Sequence, residues 1–263
     1  MQFGDINLLF SLSGLVVGVI VGLTGVGGGS LMTPLLIALF AVEPSKAVGS
    51  DLLYAALTKS VGTAVHGKNG AVDWQIVRRL ALGSVPATLL TFLVMIHYDL
   101  AGTKSGVLVT ALACVLVVTA FTMLLRGRIV AYLARAVEGV SEFSIAAMTV
   151  VTGVVLGVLV TLTSVGAGAI GVTALLVLYP RMATVRIVGS DIAHAVPLTL
   201  VAGLGHWYFL GDVDWAMLAS LLIGSVPGIY IGAHLAPRLP EAALRTMLAV
   251  VLFLVALKLF GVY

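Results

Sequence analysis

Gly25-Val26-Gly27-Gly28-Gly29-Ser30 interrupts an apolar run, and its setting returns 139 positions later as Ser164-Val165-Gly166-Ala167-Gly168. Leu8 to Leu23 precedes the first copy and Leu31 to Val42 follows it, both almost wholly apolar. Leu156 to Leu162 and Ile170 to Tyr179 frame the second copy in the same way. Each glycine costs about 1 kcal/mol of helix stability against alanine, so clusters this dense predict two helix breaks. Backbone opened at membrane depth is tolerated only where protein buries it or where it lines a cavity.

That these breaks lie in a membrane follows from composition. Hydrophobic residues make up 60% of the 263 residues and charged residues 10%, against roughly 45–50% and 25% in soluble domains. Mean hydropathy is +1.18. Gly106 to Leu125 carries no charge and matches the ~20 residues needed to cross a bilayer. The chain reads as an all-α, multi-pass membrane protein of the plasma or inner membrane. The segment before Leu8 has Asp5 and no Lys or Arg, unlike a signal peptide. Cys114 is the single cysteine, which excludes an internal disulfide. A pI near 9.1 reflects basic residues in short loops, where they set topology rather than bind nucleic acid.

Three further blocks repeat in register. Val48-Gly49-Ser50-Asp51 returns as Val188-Gly189-Ser190-Asp191, Val72-Asp73-Trp74 as Val213-Asp214-Trp215, and Gly83-Ser84-Val85-Pro86 as Gly224-Ser225-Val226-Pro227. With the breaks included, the offsets are 139, 140, 141 and 141. Each half is therefore one repeat: 1–125, then a cytoplasmic linker at 126–143, then 144–263. The first half reads as a broken segment at 7–42 and spans at 47–66, 76–97 and 104–125. The second reads as a broken segment at 144–179 and spans at 187–206, 215–235 and 243–262. Basic and apolar positions mix from Arg126 to Glu142, which suits an interfacial helix.

At about 36 residues each broken segment is too long for one crossing. If it enters and returns, each half crosses an odd number of times and the repeats are inverted. Ten Lys and Arg then face one side and three the other, whereas single crossings give seven against six. The charge bias favours inversion, with both termini outside. Inverted repeats with discontinuous helices place a substrate near the midplane, where half-helix N-termini attract anions through N–H groups and the helix dipole.

The break, the downstream Gly-Ser-Asp and their duplication in about 260 residues resemble the sulfite exporter TauE/SafE family, also called the four-toluene sulfonate uptake permease family. The resemblance covers essentially the whole chain. It implies a secondary transporter of small sulfur-containing anions such as sulfite, thiosulfate or organosulfonates. Ser164 replaces Gly25 and Ala167 replaces Gly28 in the second copy, so the two tips differ while staying small.

The residues expected to line the anion are Thr24, Gly25, Gly27, Gly28 and Gly29 at the first break, with Thr163, Ser164, Gly166 and Gly168 at the second. Gly14, Gly18 and Gly22, spaced by four, fit helix packing instead. Lys59, thirteen residues into a span, is either a counter-charge or a lysine snorkelling towards Lys68; its repeat partner is Thr199. Ser50 and Ser190 are candidate donors to an oxyanion. Asp51 and Asp191 either cap the broken segments or carry a coupling proton. His194, at i+3 from Asp191, is a relay candidate or a satisfied buried histidine. His66, His206, Trp74, Trp207 and Trp215 fit the membrane interface.

No metal-ligand spacing and no nucleophile with its base can be picked out, so neither catalysis nor a cofactor is expected. Partners reduce to the anion, a coupling ion such as the proton, and the bilayer. Alternating access is expected from one repeat rocking against the other. A passive anion channel and a non-transporting sensor or scaffold are the competing classes.

Overall fold

The computed structural model describes residues 7–24, 31–100, 106–235 and 241–261, and among these residues it contains helices and no strand. Ten α-helices follow in order: α1 (Leu8–Thr24), α2 (Met32–Phe40), α3 (Pro44–Lys68), α4 (Trp74–His97), α5 (Val107–Ala136), α6 (Glu142–Thr163), α7 (Ala169–Leu178), α8 (Thr184–Gly205), α9 (Trp215–Leu235) and α10 (Glu241–Leu259). A π-helical turn, His206–Leu210, extends α8. Six of these helices are long and apolar enough to cross a bilayer: α4, α5, α6, α8 with its extension, α9 and α10. The second broken segment is split between α6 and α7; in the first, α1 ends at Thr24 and α2 starts at Met32, with residues 25–30 outside the described ones.

One boundary moves. The span expected to stop at 125 runs on to Ala136, so most of the 126–143 stretch continues α5 rather than forming a separate interfacial helix. Arg126 is half-buried and Arg128 exposed within that continuation, and the turn comes only at Val137 to Ser141. Ser141 then caps α6 by accepting from Ser144 N–H at 3.2 Å.

Glycine decides which helices touch. On α1, a Cβ at Gly14 would overlap Leu221 O of α9, and one at Gly18 would overlap Ser225. In return, a Cβ at Gly224 would overlap Ser11 O and one at Gly228 Leu15 O. The matched seam joins α4 to α6: Gly83 lies on Val150 O, Gly153 on Leu80 O and Gly157 on Ser84 O. Small residues every fourth position let backbones approach this closely without a hydrophobic driving force, as lipid-embedded helices require. Gly14 and Gly18 thus have the packing role expected of them.

The contacts also fix direction. In both seams, register increases together along the two helices, so α1 runs parallel to α9 and α4 parallel to α6. On the α3/α8 crossing the register is reversed: Gly49 meets His206 Cβ, Leu53 meets Gly203, Gly62 meets Ile192 and His66 Cβ meets Gly189. The matched helices α3 and α8 are therefore antiparallel. Helix α8 keeps step with α4, through Ser190 with Asp73, His194 with Ser84 and Gly205 with Phe92.

Reciprocal hydrogen bonds tie the halves at both ends of that crossing. Asp214 N–H donates to Ser50 Oγ at 3.0 Å, and Asp73 N–H donates to Ser190 Oγ at 2.8 Å. The Gly-Ser-Asp block of each half thereby anchors the Val-Asp-Trp block of the other. Asp73 and Asp214 also cap α4 and α9 through Gln75 N–H and Met217 N–H. The largest apolar cluster fills the middle, from Leu36 and Tyr54 to Leu116, Leu221 and Leu252, and large apolar side chains such as Leu90, Leu93 and Phe143 face outward.

Candidate functional site

The second break is built from local rules. Helix α6 ends at Ser164, whose φ of 58° is left-handed and whose N–H still reaches Val160 O at 2.8 Å. Gly166 and Gly168 follow with φ of 121° and 116°, values that disfavour any side chain. Thr163 Oγ1 donates to Leu159 O at 2.6 Å and accepts from Val165 N–H at 3.1 Å, which folds the chain back at the break. Its hydroxyl proton is thus engaged in shaping the loop. Every residue from Thr163 to Ala169 is buried. Helix α7 begins at Ala169, and Ala167 N–H and Ala169 N–H have no acceptor among the described residues.

Gly25, Gly27, Gly28 and Gly29 lie outside the described residues, as does the side chain of Thr24. The flank of that first break is described, and it meets the second. Leu31 and Met32 share one apolar cluster with Val165 and Ala169. Asp51 connects the same two places: its Oδ2 accepts from Thr33 N–H at 3.1 Å and Thr33 Oγ1 at 2.6 Å, and Ser164 lies beside it. Asp51 therefore caps the start of α2 from α3.

Asp191 does the equivalent for α7. Its Oδ1 occupies the space a side chain on Gly171 would need, in the first turn of α7, and the Gly168 N–H is next to it. Both carboxylates are fully enclosed, and Oδ1 of each has no hydrogen-bond partner among the described residues. A buried carboxylate is tolerated where a helix N-terminus and a cation share its charge. The cation is Lys59, 5% exposed, which acts electrostatically on Asp191 and on Asp51. Arg126 on α5 is a second positive charge felt by Asp191.

Three expectations resolve differently. Ser190 donates its one hydroxyl proton to Arg186 O at 2.6 Å while accepting from Asp73, so it has none left for an anion. Ser50 Oγ accepts from Asp214 N–H at the matching joint, which engages a lone pair and not its hydroxyl proton. His194 is not paired with Asp191: its Nε2 shares a 2.9 Å hydrogen bond with Ser84 Oγ, and the helical turn points the ring at α4. His206 is buried rather than interfacial, and its Nε2 donates to Thr161 O at 2.9 Å, two residues before Thr163. Trp74, Trp207 and Trp215 are exposed, as an interfacial belt requires.

Thr33, Ser84 and Arg126 are the residues of this centre that the sequence reading does not single out. Ser84 carries a signal, the recurring Gly-Ser-Val-Pro block; its counterpart Ser225 lies beside Tyr54 Oη, as Ser84 lies beside His194. A cavity of about 220 Å³ lies between α2 and α10, lined by Leu31, Leu35, Leu39, Val251, Leu254 and Lys258. Its walls are apolar except at Lys258, whose Nζ donates to Ala38 O. Among the described residues no cluster of His, Cys, Asp or Glu is placed to hold a metal ion.

Among the described residues, one titratable group outside the membrane-spanning segments is shifted. Burial raises the Asp212 carboxyl above its ordinary 3.8, and Glu43 adds to the rise, while the hydrogen bond from Ser45 Oγ and the charge of Lys46 oppose it.

The family model for sulfite exporter TauE/SafE matches residues 10–259. The chain is 38% identical over 255 residues to "Probable membrane transporter protein YjnA" of Bacillus subtilis (strain 168), covering 94% of this chain and 97% of that one. It is 26% identical over 246 residues to "Probable membrane transporter protein YdhB" of the same organism, covering 91% and 94%. A "Probable membrane transporter protein" of Xylella fastidiosa (strain 9a5c) is 28% identical over 235 residues, 86% of this chain and 83% of that protein. No solved structure matches.

Proposed function

The chain belongs to the sulfite exporter TauE/SafE family, and from that premise we propose that it is a secondary transporter of small sulfur-containing anions such as sulfite, thiosulfate or organosulfonates. Membership makes it a membrane transporter; the substrate class and the mechanism are our reading. The observation that carries them is the buried second break, where the Ser164 hydroxyl lies beside Asp51 and the Gly168 N–H beside Asp191, with both carboxylates in the field of Lys59.

In this reading the anion sits between the two glycine-rich breaks, held by Gly166, Gly168 and the matching Gly25, Gly27, Gly28 and Gly29, with Lys59 as counter-charge. Asp51 and Asp191 already occupy the first turns of α2 and α7. A substrate anion must compete with them for the same dipoles. A proton taken up by either carboxylate removes that competition, so proton binding and anion binding favour one another. Both aspartates are then structural caps and coupling groups at once. His194, bonded to Ser84 and turned towards α4, stands apart from that pair.

The inverted repeat belongs to the same proposal. It is supported by the antiparallel α3 and α8, and by the parallel course of α1, α9 and α3, which requires the chain through α2 to turn back. The two repeats are taken as 1–125 and 144–263, with the joining stretch cytoplasmic and the cationic side inward.

Flux of labelled sulfite into proteoliposomes, with and without an imposed proton gradient, tests the proposal. Accumulation driven by the gradient supports a coupled transporter. Downhill flux alone would indicate a channel, and absence of flux with sulfite, thiosulfate and sulfoacetate a sensor or scaffold.

A further inference from the structure

The packing divides this molecule along a line that the sequence repeat does not follow. The closest contacts lie between halves, not within them. Helix α1 is seated on α9 and α4 on α6 through glycines whose absent side chains would overlap backbone carbonyls of the partner. Such backbone-on-backbone seams have no side-chain layer to slide on, and close-packed interfaces resist shear.

The polar contacts follow the same division. Asn7 N–H donates to Ser220 Oγ at 3.1 Å (α1 with α9), Asp214 N–H to Ser50 Oγ (α9 with α3), Thr33 to Asp51 (α2 with α3) and Lys258 Nζ to Ala38 O at 2.9 Å (α10 with α2). On the other side, Thr161 Oγ1 donates to Thr88 Oγ1 at 3.1 Å (α6 with α4), Arg79 to Tyr179 Oη at 3.2 Å (α4 with α7), and Arg186 pairs with Asp73 at 3.1 Å (α8 with α4). Ser84 with His194 and Thr161 with His206 complete that set. All of these bonds fall inside one of two groups. One is α1, α2 and α3 with α9 and α10; the other is α6, α7 and α8 with α4. None of these bonds involves α5, which joins the second group through its packing on α7 and α6 while its other face meets α10 in the largest apolar cluster.

Between the groups the surface is of another kind. Along the middle of α3 and α8 side chains come first, as where Leu53 meets Gly203 and Ile192 meets Gly62, and backbone carbonyls close on glycines only at the two ends, Asp212 O on Gly49 and Ala71 O on Gly189. Along α5 and α10, Phe121 packs on Phe253 with ring centroids 6.1 Å apart. The polar groups that face each other across this surface are those of the candidate site: Asp51 with Ser164, and Lys59 with Asp191.

We infer that the bodies that move in transport are two exchanged bundles, α1–α3 with α9–α10 and α6–α8 with α4–α5, rather than the two sequence repeats. The inference rests on the transport reading and replaces its picture of one repeat rocking on the other. The anion then binds in the polar centre of the surface between the bundles. Arg186–Asp73 and Ser190–Asp73 are positioning contacts that keep α4 with α8, and Ser45–Asp212 and Ser50–Asp214 keep α9 with α3.

Two disulfide pairs in a Cys114→Ala background separate the alternatives. Thr88→Cys with Thr161→Cys joins the two repeats covalently inside one bundle, and Gly62→Cys with Ile192→Cys joins the bundles. Oxidation of the first pair is expected to leave sulfite flux within about twofold of the reduced protein. Oxidation of the second should lower flux more than about tenfold, reversibly with reductant. Loss of flux on closing the first pair, or full flux with the second closed, would overturn the inference.

A readout without substrate accompanies it. Spin labels at Leu12 and Val226, both lipid-facing on α1 and α9, should give one narrow distance in nanodiscs at every pH. Labels at Leu57 and Leu200, on α3 and α8, should give a broader or pH-shifted distribution. The reverse pattern sinks the exchanged bundles even if no sulfite moves, whereas a reduced protein without flux but with the expected distances sinks only the transport reading.

Discussion

Helices α3 and α8 occupy matched places and are made of unlike parts. Each starts with a Gly-Ser-Asp block whose serine anchors the opposite half and whose aspartate caps a half-helix. Beyond that turn they diverge. Helix α3 continues with Tyr54 and Lys59, where α8 has His194 and Thr199. Helix α8 alone ends in a π-helical turn, His206–Leu210, among the described residues, a form that often marks functional positions. Matched joints and seams recur in the two halves, and the side chains between them differ. Reciprocal joints close both ends of the α3/α8 crossing, while Lys59 acts on both carboxylates and Arg126 on Asp191 alone.

The sharpest way to break that comparison is at the frame. Gly224→Val and Gly83→Val, at matched seam positions, should each lower stability by about 3 kcal/mol through overpacking. Gly62→Ala, whose new Cβ stands 3.4 Å from Ile192, should be nearly neutral. Thermal unfolding in detergent checks all three, and a Gly62→Ala loss as large as the seam losses would remove the distinction between seam and crossing.

Next in size is the tip. Gly168→Leu and Gly28→Leu should abolish sulfite binding while folded protein remains in the membrane. Retained affinity in both would count decisively against the site. At the centre, Lys59→Met should weaken anion affinity about tenfold, the loss of roughly 1.4 kcal/mol of charge attraction. Thr199→Val should leave it unchanged, because the Thr199 hydroxyl already donates to Ala195 O of its own helix at 2.8 Å. Titration calorimetry with sulfite decides between them, and equal effects would make the two halves chemically equivalent.

The smallest effect lies at the membrane faces. Asp212 holds its proton more tightly when folded than its ordinary 3.8 allows. Its contribution is therefore present at low pH and declines as pH rises through the raised value. Asp212→Asn should flatten that slope in a melting curve against pH. The opposite face depends on an ion pair between partly exposed Arg186 and Asp73. That pair is worth about 0.5 kcal/mol and should respond to salt, with Arg186→Ala abolishing the response.

Much of the frame is readable from the chain because it is written twice. The offsets of 139 to 141 locate the starts of α3, α4, α8 and α9 within a few residues. The partners of those blocks are not readable, since Ser190 and Asp73 lie 117 residues apart and Ser50 and Asp214 lie 164 apart. Nothing local distinguishes a serine donating to a ligand from one closing a joint of this kind. His194 shows a related limit: spacing on α8 offers Asp191, but the ring turns to Ser84 on another helix. Arg126 reads as the end of a span because a charge ends the apolar run. The helix carries on because Arg126 points into protein that contains Asp191.

The exchange of α4–α5 for α9–α10 has a consequence for synthesis. When the first five helices have left the ribosome, α1 still displays a bare glycine groove, and its cover, α9, begins only at Trp215. The N-terminal bundle can close only after nearly the entire polypeptide has been inserted. Until then, the groove is open to insertase or to a neighbouring nascent chain, so a protein truncated after Ala136 should be degraded or pair with a second copy of itself.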